Sequence, residues 1–147
     1  MTTTAEGELA EAVERLLHPG AFLAFSNGDP EANNFLVSER GGWLIDFETS
    51  DFRHALTSAT WIHVPGPAWI TVAPEAVQAD LEQTYRSALS QGVPEAEDDR
   101  LFGEGMAAAC ATMAYERLNR VSILDKRPVG DPSRVQMVAT LEAAARV

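Results

Sequence analysis

Three breaks cut the first half of this chain. Pro19-Gly20, Ser26-Asn-Gly-Asp-Pro30 and Val64-Pro-Gly-Pro67 are too rich in turn residues for a helix or strand to run through them. Whatever lies between them must be short. Before the first break, Leu9, Val13, Leu16 and Leu17 share one helical face, so Glu8 to Leu17 is expected to be a helix. Ala21 to Phe25 reads as a buried strand. Phe35-Leu-Val37 and Trp43-Leu-Ile45 flank Ser38-Glu-Arg-Gly-Gly42 and read as a β-hairpin. A short helix is expected from about Phe52 to Trp61. After Pro74 the pattern turns helical: Val77, Leu81, Tyr85, Ala88 and Leu89 mark one face, up to Gln91-Gly92. The acidic stretch Val93 to Asp99 is placed to cap a long helix over Leu101 to Val121, and a weaker helix runs from Ser133 to Ala145. The expected fold is α+β, mostly helical, with residues 1–147 as a single domain.

Charge and composition exclude several roles. Twenty-two acidic against 11 basic residues give a net charge of −11, a balance that argues against a nucleic-acid backbone or an anionic membrane as main partner. Ten of the 11 basic residues are Arg, and the only lysine is Lys126, so no lysine chemistry is available in the first 125 positions. The single Cys110 can form no internal disulfide, which fits a reduced, cytoplasmic setting. The start has neither a basic region nor an apolar one, so no secretory signal is expected, and no run is long and apolar enough to span a bilayer.

The chemistry gathers between Phe25 and Glu48. Asp29, Asn34 and Asp46 each stand at the edge of an apolar run, where a strand end can hold them rigidly. A hairpin from Asn34 to Asp46 brings its two ends together, so these residues should be neighbours, with Asp29 just upstream. An amide oxygen and two carboxylates on one rim suit a hard cation such as Mg²⁺, and they also suit a base beside a metal-bound phosphate. The Asp-x-x-x-x-Asn spacing alone carries little information. Eight Asp and 4 Asn in 147 positions produce roughly 0.2 such pairs by chance.

The composite says more. Gly-Asp-Pro, then Asn-Phe-Leu-Val, then Leu-Ile-Asp-Phe-Glu resembles the catalytic core of the kinase superfamily, in its aminoglycoside phosphotransferase and choline kinase branch. Phe52-Arg-His-Ala-Leu56 resembles the following segment of bacterial members, and the helices after Pro74 resemble the family's helical C-terminal lobe. The likeness is strongest over residues 25–69. It implies a kinase-like C-terminal lobe with a small β-hairpin carrying the metal-site residues. It further implies that Asp29 is the catalytic base for an acceptor hydroxyl and that Asn34 and Asp46 are Mg²⁺ ligands. ATP is the implied phosphoryl donor and a small molecule the implied acceptor. Asn27, Gly28 and Glu48 would support the loops, Asn27 standing where the family usually has His. Family members begin with an ATP-gripping lobe carrying a lysine. Its absence here would leave that role to a separate N-lobe partner or to a partner subunit.

Plainer readings stand beside these. Asp29 can be an Asx-turn residue, and Asn34 and Asp46 can cap hairpin ends. Arg53 and His54 can meet a substrate on the acidic rim, or be a structural ion pair and a satisfied histidine. His18 reads as a helix C-cap, His63 as core or loop, Trp61 and Trp69 as aromatic core, Cys110 as a small buried residue and Glu95 to Asp99 as solvated loop. The functional alternative to a phosphotransferase lobe is a non-catalytic, pseudokinase-type module that binds a ligand or homodimerises through apolar surface, or a truncated remnant lacking activity.

Overall fold

A computed structural model of the chain describes residues 3–29, 32–65 and 73–147. Pro30, Gly66 and Pro67, expected in turns, and Trp69, expected in the core, lie outside the described residues. The order is helix α1 (Thr3–Leu17), strand β1 (Leu23–Ser26), a hairpin of β2 (Phe35–Ser38) and β3 (Gly41–Leu44), and strand β4 (Asp51–His54). A 3₁₀ helix (Ala55–Ile62) follows, then α2 (Glu75–Leu89), α3 (Asp99–Leu118), the short α4 (Val121–Leu124) and α5 (Ser133–Ala144). The fold is α+β and mostly helical, as the pattern of breaks predicts, and it holds two small antiparallel sheets.

The hairpin forms where expected. Phe35 pairs with Leu44 and Ser38 with Gly41, and the Glu39-Arg40 turn between them has Arg40 N donating to Ser38 Oγ at 3.1 Å. The segment after it departs from expectation. Residues 51–54 are not the start of a helix but a strand pairing with β1, in the register Leu23↔His54, Phe25↔Phe52 and Ser26↔Asp51. Helical structure begins only at Ala55, and it is 3₁₀. The side chain of His54 accepts from Leu56 N at 3.3 Å, Thr57 Oγ1 donates to His54 O at 2.7 Å and Thr60 Oγ1 to Thr57 O at 3.2 Å. Side-chain groups that bond nearby backbone in this way compete with the regular α-helical ladder.

The core lies where α3 crosses the 3₁₀ helix. Leu56, Ala59, Ile62 and Val64 pack with Phe102, Met106, Ala109 and Cys110, and Phe22, Val93, Ala96 and Ala143 close its edges. Gly105 permits the crossing: a Cβ there would sit 2.9 Å from Leu56 Cδ1 and 3.1 Å from His54 Cε1. Cys110 is buried as expected, and burial pushes its thiol up to about 12, which keeps it protonated and inert. Trp61 packs partly buried against this core, and Tyr85 donates its hydroxyl to Ala55 O at 2.9 Å.

The acidic connection before α3 is more ordered than a solvated loop. Ala96 is fully buried in a 3₁₀ turn, and Arg86 clamps the turn by donating to Ala96 O at 2.6 Å and Glu97 O at 2.7 Å. The same guanidinium pairs with Asp99 at 2.7 Å and lies over the Phe102 ring. Asp98 caps α3, accepting from Arg100 N and Leu101 N at 2.9 Å each, in line with the expected cap. His18 follows α1 with its N–H on Glu14 O at 2.9 Å, a C-cap position, and His63 bonds Glu82 at 2.7 Å.

Several apolar residues expected inside are outside. Leu17 is exposed on α1, as are Val77 and Ala88 on α2. In the run Ala21 to Phe25, expected as a buried strand, Leu23 and Phe25 are more than half exposed, while Phe22 and the following Ser26 are buried. The physical reason is that β1 and β4 form a sheet of only two strands, whose outer face carries Phe25 opposite Phe52. Those two rings meet edge-on at 5.4 Å, and Phe47 stacks on Phe25 at 6.1 Å.

Candidate functional site

Two buried amides, Asn27 and Asn34, hold the chain at Asp29. Asn27 is 1% exposed, and its Nδ2 donates to Asp29 O at 2.9 Å and to Ile45 O at 3.2 Å. Asn34 is 2% exposed, and its Nδ2 donates to the same Asp29 carbonyl at 3.0 Å. All these acceptors are carbonyls, which need a donor, so the orientation of both side-chain amides is fixed by chemistry. One carbonyl oxygen thus receives two N–H groups, one for each lone pair. The backbone completes the join, with Ile45 N donating to Asn34 O at 2.9 Å.

These bonds bring the predicted residues to one place in the fold. Asn34 immediately precedes β2. Asp46 follows Ile45, the residue whose backbone N–H bonds Asn34 and whose carbonyl receives Asn27. The pair therefore flanks the hairpin ends rather than lying within its strands. Asp29 sits at the focus of both amides through its backbone carbonyl, and among the described residues none bonds its carboxylate. Asp46 and Glu48 are exposed, and Asp29 is partly so.

Asp46 also carries the only positive φ among the described non-glycine residues, +60°. Aspartate tolerates the left-handed region better than most residues, but it still costs on the order of 1 kcal/mol there, and such strain concentrates at functional sites. The kink lies at the junction of Leu-Ile-Asp-Phe-Glu with the β3 strand.

Gly28 locks the loop against the segment after the hairpin. Its φ is +83°, and a Cβ would lie 2.3 Å from Thr49 O and 2.8 Å from Thr49 Oγ1. Gly28 N donates to Ser26 Oγ at 3.0 Å, and that hydroxyl meets Ser58 Oγ at 2.8 Å. Thr49, which no motif marks, is the hub on the other side. Its Oγ1 donates to Asn27 O at 2.9 Å and its carbonyl accepts Arg53 Nη2 at 2.9 Å. Nothing in Glu48-Thr-Ser-Asp51 distinguishes it from an ordinary turn residue.

Arg53 and His54 are placed as scaffold. Among the described residues no carboxylate lies within ion-pair distance of Arg53, whose guanidinium bonds the Thr49 backbone. His54 is 3% exposed and stacks on Phe22 at 5.0 Å, with interplanar angle 10°. Its Nδ1 accepts from Leu56 N, so the neutral ring carries its proton on Nε2. Burial first, and Arg15 second, lower its pKa from 6.5 to about 4. The sign follows: an unfolded chain takes up the proton near pH 6.5, and the folded chain only near 4. His54 therefore contributes its full stabilisation above pH 6.5, and this is lost as pH falls toward 4. The loss should reach about 2 kcal/mol, less than the whole shift implies because the half-exposed Arg15 is screened by solvent. Urea titrations across this window should show the effect. His54→Asn, which retains an acceptor for Leu56 N, should flatten the slope between pH 6.5 and 5. An unchanged slope would show that His54 is not its source.

Beside the loop runs a cavity of about 490 Å³ between α1 and α3, reached by Ser26, Gly28 and Arg53 and walled largely by apolar groups such as Val13, Leu16 and Met113. As for a cation, no three His, Cys, Asp or Glu side chains converge among the described residues. Of the two residues the resemblance implies as ligands, Asn34 has its Nδ2 committed to Asp29 O and its amide oxygen receiving Asn33 Nδ2 at 3.3 Å, while Asp46 presents an exposed carboxylate. No protein-family model matches the chain, and no curated protein matches it.

Proposed function

We propose that the chain is a phosphotransferase-type lobe, similar to the C-terminal lobe of aminoglycoside and choline kinases, that serves transfer of the ATP γ-phosphate to a hydroxyl of a small acceptor. The observation that carries this reading is the double amide clamp on Asp29 O. It fixes the Asp29 loop to both ends of the hairpin while leaving the Asp29 carboxylate available to take the acceptor's proton. Asn34 and Asp46 would hold Mg²⁺, which when bound neutralises charge on the phosphoryl group being transferred. Asn27 and Gly28 keep the base in place, and the strained turn at Asp46 aims its carboxylate. Lys126 being the only lysine, the cation that grips the nucleotide phosphates comes in this reading from outside these 147 residues, from a partner chain or subunit. A cytoplasmic setting fits, since ATP and an unpaired, buried Cys110 belong there. The test is ATP- and Mg²⁺-dependent phosphorylation of a panel of small alcohols, with the chain alone and with candidate partners. Turnover that survives Asp29→Ala would sink the proposal, and so would turnover in none of these conditions.

One observation favours a second reading, a binding or dimerisation module without catalysis. Phe25, Phe47 and Phe52 form an exposed aromatic cluster, and Leu36, Val37 and Trp43 of the hairpin are exposed as well. Such a surface is expected to be covered. Under this reading light scattering reports a dimer that Phe52→Asp dissociates, whereas a well-behaved monomer at high concentration removes the homodimer.

A further inference from the structure

The chain distributes its cations unevenly. Arg15 pairs with Glu104 at 2.9 Å, Arg86 with Asp99 at 2.7 Å and Arg100 with Glu104 at 3.1 Å. A chain with 22 carboxylates can readily pair its 11 basic groups in this way. Between positions 117 and 134 the local balance reverses. Five basic residues fall there (Arg117, Arg120, Lys126, Arg127 and Arg134) against only Asp125 and Asp131.

Three of the five line one cavity. Arg117, Arg120 and Arg127 line a hollow of about 390 Å³ where the end of α3, α4 and the start of α5 meet. Ile123 and Met137 supply apolar wall, and Ser133 a hydroxyl. The Arg117 side chain belongs to a residue 7% exposed, so one of the three is set into the protein rather than waving in solvent. Among the described residues neither Arg120 nor Arg127 has a carboxylate at ion-pair distance. Asp131 feels Arg127 and Arg134, but its Oδ1 is bound to Ser133 N at 2.9 Å, where it serves the start of α5. Arg134 donates to Leu124 O at 2.7 Å and so ties α5 to α4, fixing the hollow's far side.

Cationic side chains around one cavity give it a positive potential that draws an anion in. Planar guanidinium forks match phosphate oxygens, and the hollow's volume falls in the range of ligand pockets, roughly 300–1,000 Å³, well above what a bare oxyanion fills. We infer that the α3–α4–α5 hollow is a binding site for a small organic phosphate, its phosphoryl group held by Arg120 and Arg127 and its organic part lying on Ile123 and Met137. This site is separate from the Asp29 loop in its residues, and it stands whether or not the chain transfers phosphate.

The test is isothermal calorimetry on the full chain with phenyl phosphate, inorganic phosphate and phenol at constant ionic strength. Phenyl phosphate should saturate with a stoichiometry near one and bind tighter than either fragment. The exposed positions allow Arg120→Gln/Arg127→Gln without disturbing the core, and the double variant should lose about tenfold or more in affinity. Arg146→Gln, a charge change outside the hollow, should leave binding unaltered. Circular dichroism verifies that each variant is folded. Amide NMR shifts on titration should centre on residues 117–137. The inference is overturned by absence of saturable binding, by equal affinity in the double variant, or by shifts that centre elsewhere. Inorganic phosphate binding as tightly as phenyl phosphate would overturn the organic part of the assignment.

Discussion

Gly28→Ala should lower the unfolding free energy by about 3 kcal/mol, among the larger effects a single methyl group can produce. Two costs add. The first is conformational: at φ +83° an L-residue leaves its favoured region, at on the order of 1–2 kcal/mol. The second is steric. The new Cβ would lie 2.3 Å from the Thr49 carbonyl oxygen, a backbone atom that cannot swing aside. Relief requires residues 45–53 to move away from the loop, which breaks the bonds of Thr49 Oγ1 to Asn27 O and of Asn27 Nδ2 to Ile45 O. Gly20 supplies the control. It too has a positive φ, +55°, but a Cβ there meets nothing within 4 Å. Gly20→Ala should carry only the conformational cost. Urea unfolding of both variants measures the difference, and equal losses would refute the close approach of Gly28 to Thr49.

Asp29→Ala should have the opposite profile, with little change in stability and a large loss of function. The two amides bond the Asp29 carbonyl, and among the described residues none bonds its carboxylate, so truncating the side chain keeps both amide bonds. Stability should stay within about 0.5 kcal/mol of the parent. Under the phosphotransferase reading the variant loses the group that takes the acceptor proton, and transfer should fall by about 10²- to 10⁴-fold. Asp29→Asn, similar in shape but unable to act as a base, should fall equally. If Asp29→Asn retained the parent rate, the carboxylate would not be the base. A large fall in stability with Asp29→Ala would instead place the side chain in the scaffold.

The hairpin is legible because its information is local: two apolar runs around Ser38-Glu-Arg-Gly-Gly42 leave little choice. The same holds for the Asp98 cap and for α2, α3 and α5, whose periodicity is read within a few turns. Strand β4 is not legible. Phe52-Arg-His54 is a strand because β1, some 28 positions earlier, pairs with it, and no local pattern announces a long-range partner. The exposure of Leu17, Leu23 and Phe25 escapes the sequence for a related reason. Hydrophobicity says that a residue benefits from cover, not that another element arrives to provide it. At the candidate site, the closure of the hairpin that brings Asn34 next to Ile45 is legible, because it follows from the two apolar runs. The strained backbone at Asp46 and the hub at Thr49 are invisible, since both depend on where the chain is forced to bend rather than on residue type.

The buried Asn27 has a consequence for how the protein ages. Asn followed by Gly is the pairing most prone to spontaneous deamidation, because the small neighbour lets its backbone nitrogen attack the side-chain amide. Here that amide is held by two carbonyls and the backbone at Gly28 is pinned against Thr49, so the folded chain is shielded while the unfolded chain is not. Deamidation would replace the Asn27 amide with a carboxylate facing the Asp29 and Ile45 oxygens that had received N–H groups, turning two attractions into repulsions. Each excursion to the unfolded state therefore risks a covalent change that disfavours return, and mass spectrometry of heat-stressed samples would locate the lesion at this position.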